Sequence, residues 1–322
     1  MKRRSFVKNI STVATALAFA PALATSRKSP KPSKVGVQLF SLPKLLEKDF
    51  NAGIQMISEI GYKEIEMYGP FPFSVDAIKE RWNTITPNLG FSGSGYFGHS
   101  PQEVKKILDH HGIKVTAAHA DMDTMQTRME QIGEAGDQLG FEYIGLPSIP
   151  EAKRQTLDDY KRVAEEFNEI GEKAKKVGLK FAYHNHGYGL QKVAGQIPLD
   201  LIFEETDPDL VFFEMDIYWT IAGGADPIAY LTAYPDRYRL MHIKDMKEKV
   251  RFSGDGGEPS QWIALFPYMT ALGEGVLDIP SIISFAREKG VKHFYVEQDM
   301  AANPESELKK SFDYLKTVGL LR

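Results

Sequence analysis

Residues 173–184 read Lys-Ala-Lys-Lys-Val-Gly-Leu-Lys-Phe-Ala-Tyr-His, and this stretch contains the junction that decides the fold. An amphipathic helical pattern, Leu157–Val177, ends here and is followed at once by Gly178, a residue typical of helix C-termini. The segment Lys180–His184 is mostly aromatic or apolar and predicts a short strand. A helix that passes through a glycine directly into a strand is typical of folds in which the two elements alternate.

The same order of elements recurs along the chain. Glycines also follow predicted helices at Gly61, Gly112, Gly140 and Gly290. The predicted strands are Val35–Phe40, Glu64–Tyr68, Lys114–His119, Tyr143–Leu146, Lys180–His184, Val211–Met215, Arg239–Ile243 and Lys292–Glu297. The helical patterns after them are Glu47–Ile60, Pro101–His111, Thr127–Leu139, Leu157–Val177, Pro198–Glu205, Pro227–Tyr234, Ser281–Lys289 and Pro304–Val318. This alternation over residues 35–322 predicts a single-domain α/β fold, the (β/α)8 or TIM barrel.

A doubly wound open sheet is the alternative fold. Such a sheet normally has fewer strands, and a glycine-rich phosphate-binding turn follows its first strand. The chain instead has Ser41-Leu42-Pro43 after the first predicted strand. The barrel is therefore the preferred interpretation.

Composition excludes several classes of function. The chain of 322 residues contains no cysteine, which removes disulfides, thiolate metal sites and cysteine nucleophiles. The net charge is −4, so no overall positive field is present to hold nucleic acid. No segment after residue 25 approaches 18 continuous apolar residues, which excludes a multi-pass membrane protein.

Residues 1–24 are predicted to be a targeting segment. Basic residues open it, an apolar stretch follows, and Ala22-Leu23-Ala24 fits a cleavage site. The pair Arg3-Arg4 resembles a twin-arginine signal, with the general secretory route as the alternative. Residues 25–34, rich in Ser, Pro and Lys, are predicted to be a flexible mature N-terminus. We expect a periplasmic or extracellular protein without stable membrane association.

Two predicted connections, Gly69–Ser100 and Met246–Leu277, are longer than ordinary loops after a strand. Both would lie on the catalytic face of a barrel, where the loops that follow strands gather. Both contain several aromatic residues, among them Trp82 and Trp262. These rings could stack on a sugar, or they could pack as a surface loop or a subunit contact.

Polar residues stand at the predicted strand ends, and in a barrel these ends surround one central site. The last four strands end at or near His184, Asp216, His242 and Glu297. Mixed imidazole and carboxylate ligands suit Mn²⁺, Co²⁺, Zn²⁺ or Fe²⁺, whereas a pure Mg²⁺ site would show mainly oxygens. These four residues are the predicted ligands of one divalent metal ion.

The remaining strand-end groups are predicted to move protons or to bind substrate hydroxyls. Such an ion could stabilise the enediolate that forms when the proton beside a sugar carbonyl leaves. The groups for proton transfer are Glu66, His119, His186 and Lys244, with Glu297 as a further base. For Lys244, a salt bridge to Asp245 is the alternative interpretation. The predicted substrate contacts are Gln38, Trp219 and Trp262.

These residues together resemble the xylose isomerase-like barrel superfamily, also called the sugar phosphate isomerase/epimerase family, which has endonuclease IV-like members. The matching segments span residues 35–322 and are Val35-Gly36-Val37-Gln38-Leu39, Gly61-Tyr62-Lys63-Glu64-Ile65-Glu66, Phe181-Ala182-Tyr183-His184-Asn185-His186, Met215-Asp216, Met241-His242-Ile243-Lys244-Asp245, Gly273-Glu274-Gly275 with Asp278, and Tyr295-Val296-Glu297.

The resemblance implies metal ligands on strands 5 to 8, usually Glu, Asp, His and Glu. The last three carry over to Asp216, His242 and Glu297, but His184 stands where many epimerases have a glutamate. Epimerisation by two opposed glutamates is therefore in doubt. Trp219 stands where relatives often have a histidine. The segment Tyr183-His184-Asn185-His186-Gly187 is similar instead to inosose dehydratase-like relatives, and exported members resemble lyases or hydratases of 3-keto-glycosides.

The sequence thus predicts a metal-dependent carbohydrate isomerase or epimerase. The alternative is a lyase or hydratase that acts on the carbon beside a ketone. The substrate would be a small carbohydrate, and neither a phosphate-binding cluster of Arg and Lys nor a nucleic-acid surface is expected. The chain could instead be a non-catalytic periplasmic sugar-binding barrel, or a metal-free barrel whose histidines hydrogen-bond one another. The resemblance also implies a homo-oligomer.

Overall fold

The computed structural model describes residues 35–321. The predicted targeting segment, residues 1–24, and the predicted flexible segment, residues 25–34, lie outside the described residues. Among residues 35–321, no helix is both long enough and apolar enough to cross a membrane.

Eight parallel strands form a closed barrel, as the sequence predicted. They are β1 Gly36–Gln38, β2 Glu64–Tyr68, β3 Lys114–His119, β4 Tyr143–Leu146, β5 Lys180–His184, β6 Val211–Asp216, β7 Tyr238–Ile243 and β8 His293–Val296. Each strand pairs with its neighbours in the chain, and β1 closes the barrel by pairing with both β2 and β8.

Helices follow the strands and surround the barrel. The α-helices are Pro43–Lys48, Phe50–Ile60, Asp76–Leu89, Pro101–His111, Met122–Thr127, Met129–Leu139, Leu157–Lys176, Pro198–Glu205, Ile217–Ala222, Pro227–Ala233, Pro259–Ile263, Ile279–Glu288 and Pro304–Thr317. Short 3-10 helices occupy Leu39–Ser41, Glu151–Lys153 and Phe266–Tyr268.

The helix Leu157–Lys176 shows why these segments fold as they do. Thr156 and Asp159 form a capping box at its start, which satisfies free backbone N–H groups. Its apolar residues recur at helical spacing, and the side chains of Val163, Phe167 and Ile170 are fully buried. The ring of Phe167 packs against Phe181 of β5, so the predicted helix and strand bury their apolar faces on each other.

Several predicted boundaries are wrong, and local hydrogen bonds explain two of them. The first strand ends at Gln38, whose side chain accepts a hydrogen bond from the backbone N–H of Phe40 and starts a 3-10 turn. The predicted helix Glu47–Ile60 is two helices, because Asp49 is extended and caps the second one through Ala52 N–H. A similar break at Arg128 divides the helix predicted from Thr127.

The two long connections contain secondary structure that the sequence analysis missed. The first holds the helix Asp76–Leu89, whose pattern is weak because it carries Pro87 and buries few apolar residues. The second holds a short helix and a two-stranded ribbon, Asp245–Met246 with Met269–Thr270. Most aromatic residues of the first connection pack on one another, as Phe71 does on both Phe73 and Tyr96.

The barrel interior is layered. Side chains of a strand alternate between inside and outside, so residues two apart share a face. One layer of inward-facing side chains is apolar and consists of Ala117, Tyr143, Ala182, Leu240 and Tyr295. Two residues further along their strands, β3, β5 and β7 present His119, His184 and His242 instead. The core therefore changes from apolar to ionisable toward the carboxyl ends of the strands.

Candidate metal and acid–base site

The carboxyl end of the barrel brings together most of the predicted site residues. Glu66, His119, His184, Asp216 and His242 are inward-facing strand residues, and all are buried. Glu297 and Lys244 follow β8 and β7 directly, and they extend the same polar layer. The predicted residues therefore form one continuous cluster of ionisable side chains.

The outer part of the cluster contains three of the four predicted metal ligands. Asp216, His242 and Glu297 each offer one ligand atom, and these atoms all lie within 4.8 Å of one another. His242 Nδ1 lies 2.7 Å from Glu297 Oε2 and 3.8 Å from Asp216 Oδ2. His184 approaches from β5, with its Nε2 atom 3.9 Å from Asp216 Oδ2. These residues form one candidate ligand set, and the assignment stays a prediction.

A second group lies deeper in the barrel and includes a residue that the sequence analysis missed. Ligand atoms of His119, His184, Glu214 and His242 also lie within 4.8 Å of one another. Glu214 Oε2 is 2.6 Å from His119 Nε2 and 3.3 Å from His184 Nδ1. The period of two in β6 could have found Glu214, because it shares the inner face with Asp216.

The deep carboxylates lie where they can orient the histidines. His242 contacts Glu66 Oε2 through Nε2 at 2.6 Å, which leaves Nδ1 directed to Asp216 and Glu297. His184 has the same arrangement, with Nδ1 toward Glu214 and Nε2 toward Asp216. A carboxylate behind a histidine is the usual support of a metal-binding imidazole. We therefore read Glu66 and Glu214 as residues that position His242 and His184.

The donor set fits a divalent ion. Asp216 Oδ2 is buried and faces three nitrogens, Lys244 Nζ at 3.0 Å, His242 Nδ1 at 3.8 Å and His184 Nε2 at 3.9 Å. Among residues 35–321 none of these nitrogens makes a regular hydrogen bond with it, and a bound ion would complete the contacts of this oxygen. Two imidazole nitrogens with two carboxylates suit Zn²⁺, Mn²⁺, Co²⁺ or Fe²⁺ better than Mg²⁺.

Lys244 lies within this carboxylate cluster, and the predicted alternative of a salt bridge to Asp245 is wrong. Its Nζ atom is 3.0 Å from Asp216 Oδ2, 2.7 Å from Glu297 Oε2 and 2.6 Å from Asp299 Oδ2. Lys244 lies between the end of β7 and the ribbon strand that begins at Asp245. Asp245 faces away and accepts backbone hydrogen bonds from Gly273, Gly275, Leu277 and Met246.

Two histidines of the site carry opposite pKa shifts. Burial acts to lower the pKa of His119, but the charges of Glu66 and Glu214 outweigh it and raise the pKa to about 10. Burial and the nearby charge of Lys244 lower the pKa of His186 to about 3. At neutral pH His119 is therefore protonated and His186 is neutral.

A cavity of about 420 Å³ opens onto the cluster. Among the predicted residues, its lining includes Gln38, His119, His184, His186, Trp219, His242, Lys244, Trp262 and Glu297. Glu66 and Asp216 lie beneath this lining, which argues against direct proton transfer between Glu66 and a substrate. The sequence analysis did not single out Asp299, and it assigned Trp82 only to an aromatic connection; both line the cavity.

The chain matches known proteins over most of its length. A family model described as xylose isomerase-like TIM barrel matches residues 54–318. An inosose dehydratase from Clostridium beijerinckii is 25% identical over 286 residues, covering 84% of this chain and 90% of that protein. Another from Clostridium tetani is 26% identical over 279 residues, with the same two coverages.

Solved structures share the fold. A sugar phosphate isomerase/epimerase from Parabacteroides distasonis has 26% sequence identity and a TM-score of 0.68, covering 94% of this chain and 100% of that chain. The IOLI protein, solved with a binding zinc atom, has 15% identity and a TM-score of 0.61, covering 89% and 98% of the two chains. At that identity the second likeness concerns the fold alone.

Proposed function

The chain belongs to the xylose isomerase-like TIM barrel family, and from this premise we propose that it is a metal-dependent dehydratase that removes water beside the ketone of a cyclic keto-sugar. Its relatives support a sugar-processing enzyme, and inosose dehydratases are among them. One observation carries the choice of reaction. Two histidines outside the proposed ligand set, His186 and His119, line the same cavity, and their surroundings shift their pKa values in opposite directions.

A pair of groups with separated pKa values is what a dehydration needs. His186 lines the cavity and can accept the proton from the carbon beside the ketone. As that C–H bond breaks, a C=C bond forms and the C–O bond on the next carbon breaks. His119 gives a proton to the departing hydroxyl, which leaves as water; the proton comes from Nδ1, because Nε2 is held by Glu214 Oε2 at 2.6 Å. Proton exchange with solvent then restores both histidines.

The remaining residues of the cavity hold charge and orient the substrate. A divalent ion held by His184, Asp216, His242 and Glu297 would supply Lewis-acid polarisation of the keto oxygen. The ammonium group of Lys244 lies in the same lining and can neutralise negative charge on that oxygen as the proton leaves. The side-chain amide of Gln38 donates a hydrogen bond from Nε2 to Glu66 Oε2 at 2.7 Å. This bond fixes the orientation of Gln38 in the cavity lining.

Isomerisation or epimerisation is the second candidate. It is favoured by the Parabacteroides distasonis structure and by Glu297, a carboxylate that lines the cavity and could act as a base. His184 argues against it, because it provides an imidazole where a two-glutamate mechanism needs the second carboxylate.

Product mass distinguishes these reactions. Purified protein with added Mn²⁺ is incubated in deuterated water with an inosose, a free keto-hexose and a 3-keto-glycoside, and products are followed by NMR and mass spectrometry. A product lighter by one water supports the dehydratase. A product of unchanged composition that carries solvent deuterium supports the isomerase or epimerase. Stoichiometric sugar binding without turnover would favour the non-catalytic barrel and contradict both.

We also propose that the protein is exported, since residues 1–24 have the pattern of a cleaved signal. Expression in a bacterial host followed by intact-mass analysis of the periplasmic fraction tests this. A chain beginning near residue 25 is expected. A full-length chain confined to the cytoplasm would contradict the proposal. The same preparation, analysed by light scattering, tests the proposed homo-oligomer.

A further inference from the structure

Lys244 competes for the oxygens that a metal ion would use. Its side chain is only 1% exposed, and its ammonium contacts Asp216 Oδ2 at 3.0 Å and Glu297 Oε2 at 2.7 Å. The outer ligand group consists of Asp216, His242 and Glu297. Two of its three residues therefore already face a positive charge.

An ammonium and a divalent ion compete for these oxygens, because like charges at contact distance repel each other. The repulsion between an ammonium and a divalent ion is twice that between two unit charges at the same distance. Metal binding at this group therefore requires that the Lys244 ammonium withdraw from Asp216 and Glu297. A long, flexible lysine side chain can do so without a backbone movement.

Asp299 is the group that can receive the ammonium. Its Oδ2 atom lies 2.6 Å from Lys244 Nζ, and its carboxylate belongs to neither ligand group. The indole of Trp219 lies on another side, with its ring centroid 5.1 Å from Nζ, and it favours a nearby cation. Both Asp299 and Trp219 line the cavity, so the ammonium kept there faces substrate.

We propose that Asp299 is a positioning residue that retains the Lys244 ammonium in the cavity when a divalent ion takes Asp216 and Glu297. This inference rests on the metal site of the proposed function but not on the reaction catalysed there. Without Asp299, Lys244 would keep its contacts with Asp216 and Glu297 and oppose the metal. Asp299 therefore acts on metal affinity through Lys244.

A double-mutant cycle on Zn²⁺ affinity tests the proposal. Calorimetry with Zn²⁺ alone is performed on full-length wild type, Lys244→Met, Asp299→Asn and the double variant. We expect Lys244→Met to bind Zn²⁺ roughly tenfold more tightly or better, since it removes a competing charge. Asp299→Asn should bind roughly tenfold more weakly. In the Lys244→Met background, Asp299→Asn should change affinity less than about threefold.

Matched controls are Lys247→Met and Asp313→Asn, which alter exposed residues of the same types. Thermal unfolding identifies any variant that fails to fold. Asp299→Glu keeps the carboxylate and should retain wild-type Zn²⁺ affinity.

Equal loss of Zn²⁺ affinity on Asp299→Asn in both backgrounds would overturn the proposal, because Asp299 would then act through its own charge. Zn²⁺ binding to Lys244→Met but not to wild type would also overturn it, because Lys244 would then block the site. Absence of Zn²⁺ binding in every variant would overturn the proposal together with the metal site, whereas the masses of the sugar products judge the reaction separately.

Discussion

Asp216 shows how one side chain can serve both the fold and the site. Its Oδ1 atom accepts a hydrogen bond from Trp219 N–H at 2.9 Å and caps the helix Ile217–Ala222. Its Oδ2 atom faces the ligand group and lies 3.0 Å from the Lys244 ammonium. The backbone of Asp216 is also fixed, because its N–H group donates a hydrogen bond to Asn185 Oδ1. The two oxygens can therefore be tested separately.

Asp216→Asn and Asp216→Ala should both lose bound metal, but only the alanine variant should also lose the helix cap. Asparagine caps helices as well as aspartate does, whereas loss of a cap costs about 1 kcal/mol. We therefore expect the alanine variant to be less stable than the asparagine variant by about 1 kcal/mol in denaturant unfolding. Metal content is measured on protein purified without a metal-affinity step. Unchanged metal content in both variants would refute the ligand role of Asp216.

His186 is the residue-level test of the proposed reaction. His186→Gln removes the neutral imidazole but preserves much of its volume and polarity. The turnover rate should fall about 10²- to 10⁴-fold, the usual contribution of a general base. His110→Gln, on the exposed face of the helix Pro101–His111, is the matched control and should keep full activity. Metal content should stay unchanged in both. A His186→Gln variant with wild-type turnover would exclude it as the base.

At the scale of elements, two irregularities in the strand register of the barrel help to orient the side chains of the site. The pairing of β2 with β3 shifts between Ile65 and Glu66, and that of β6 with β7 shifts between Phe213 and Glu214. Such bulges recur beside active sites, where they redirect side chains. Here they lie next to the two deep carboxylates. The His119 and His242 side chains beyond them then share the inner face with Glu66 and Glu214.

Hydrogen bonds join the first helix to the first long connection. Glu47 Oε1 accepts them from the Ser92 backbone and hydroxyl and from Gly93 N–H. The Ser92 hydroxyl is the main cause that lowers the pKa of Glu47. This connection carries Trp82, whose indole lines the cavity and donates to Ser92 O. Glu47 therefore helps to hold one wall of the cavity.

Glu47→Gln should loosen that wall in a pH-dependent way. Because the folded pKa is lowered, the carboxylate stabilises the fold above its unfolded pKa of about 4.3, and this stabilisation is lost as pH falls through the folded value. Proteolysis of the connection should therefore be faster in the variant at pH 7, and the difference should disappear in acid. Glu59→Gln in the next helix is the matched exposed control. A difference that persists in acid would refute the mechanism.

At the scale of the whole molecule, the barrel closes through β1, a short strand that leaves little room for side chains. Gly36 of β1 pairs with Glu64 on one side and with Tyr295 on the other. A Cβ atom at Gly36 would lie 2.7 Å from the Tyr295 ring and 2.8 Å from the Glu64 carbonyl oxygen. Closure thus depends on a residue without a side chain. The strand β1 also sets the distance between its two neighbours. These are β2, which carries Glu66, and β8, which directly precedes Glu297.

Gly36→Ala should destabilise the barrel by roughly 1–3 kcal/mol, the usual cost of overpacking a dense core. Denaturant unfolding measures this change. Gly254→Ala is the matched control, since the atoms nearest to its added Cβ belong to the side-chain amide of Gln261, which can rotate away at the cost of its hydrogen bond from Gly256 N–H. Unchanged stability of Gly36→Ala would show that β1 can shift outward without breaking its pairing.

The helix–glycine–strand order was sufficient to predict the barrel, because local patterns encode it directly. Apolar runs and helical periodicity depend on neighbouring residues in the chain, so the barrel strands were located to within about two residues at each end. The helix Asp76–Leu89 was missed because it buries few apolar residues and contains Pro87, so its amphipathic pattern is weak.

The predicted site is a list of strand-end residues, and the barrel decided how they divide into roles. Spacing placed His119, His184, His242 and Glu297 at one end, because parallel strands share that end. Distances across the barrel could not be read from the chain. They put Glu66 beneath His242, added Glu214 and Asp299, and paired Lys244 with Asp299 instead of Asp245. Local order along the chain determined the elements, whereas contacts between residues distant in sequence, which exist only once the barrel closes, determined the chemistry.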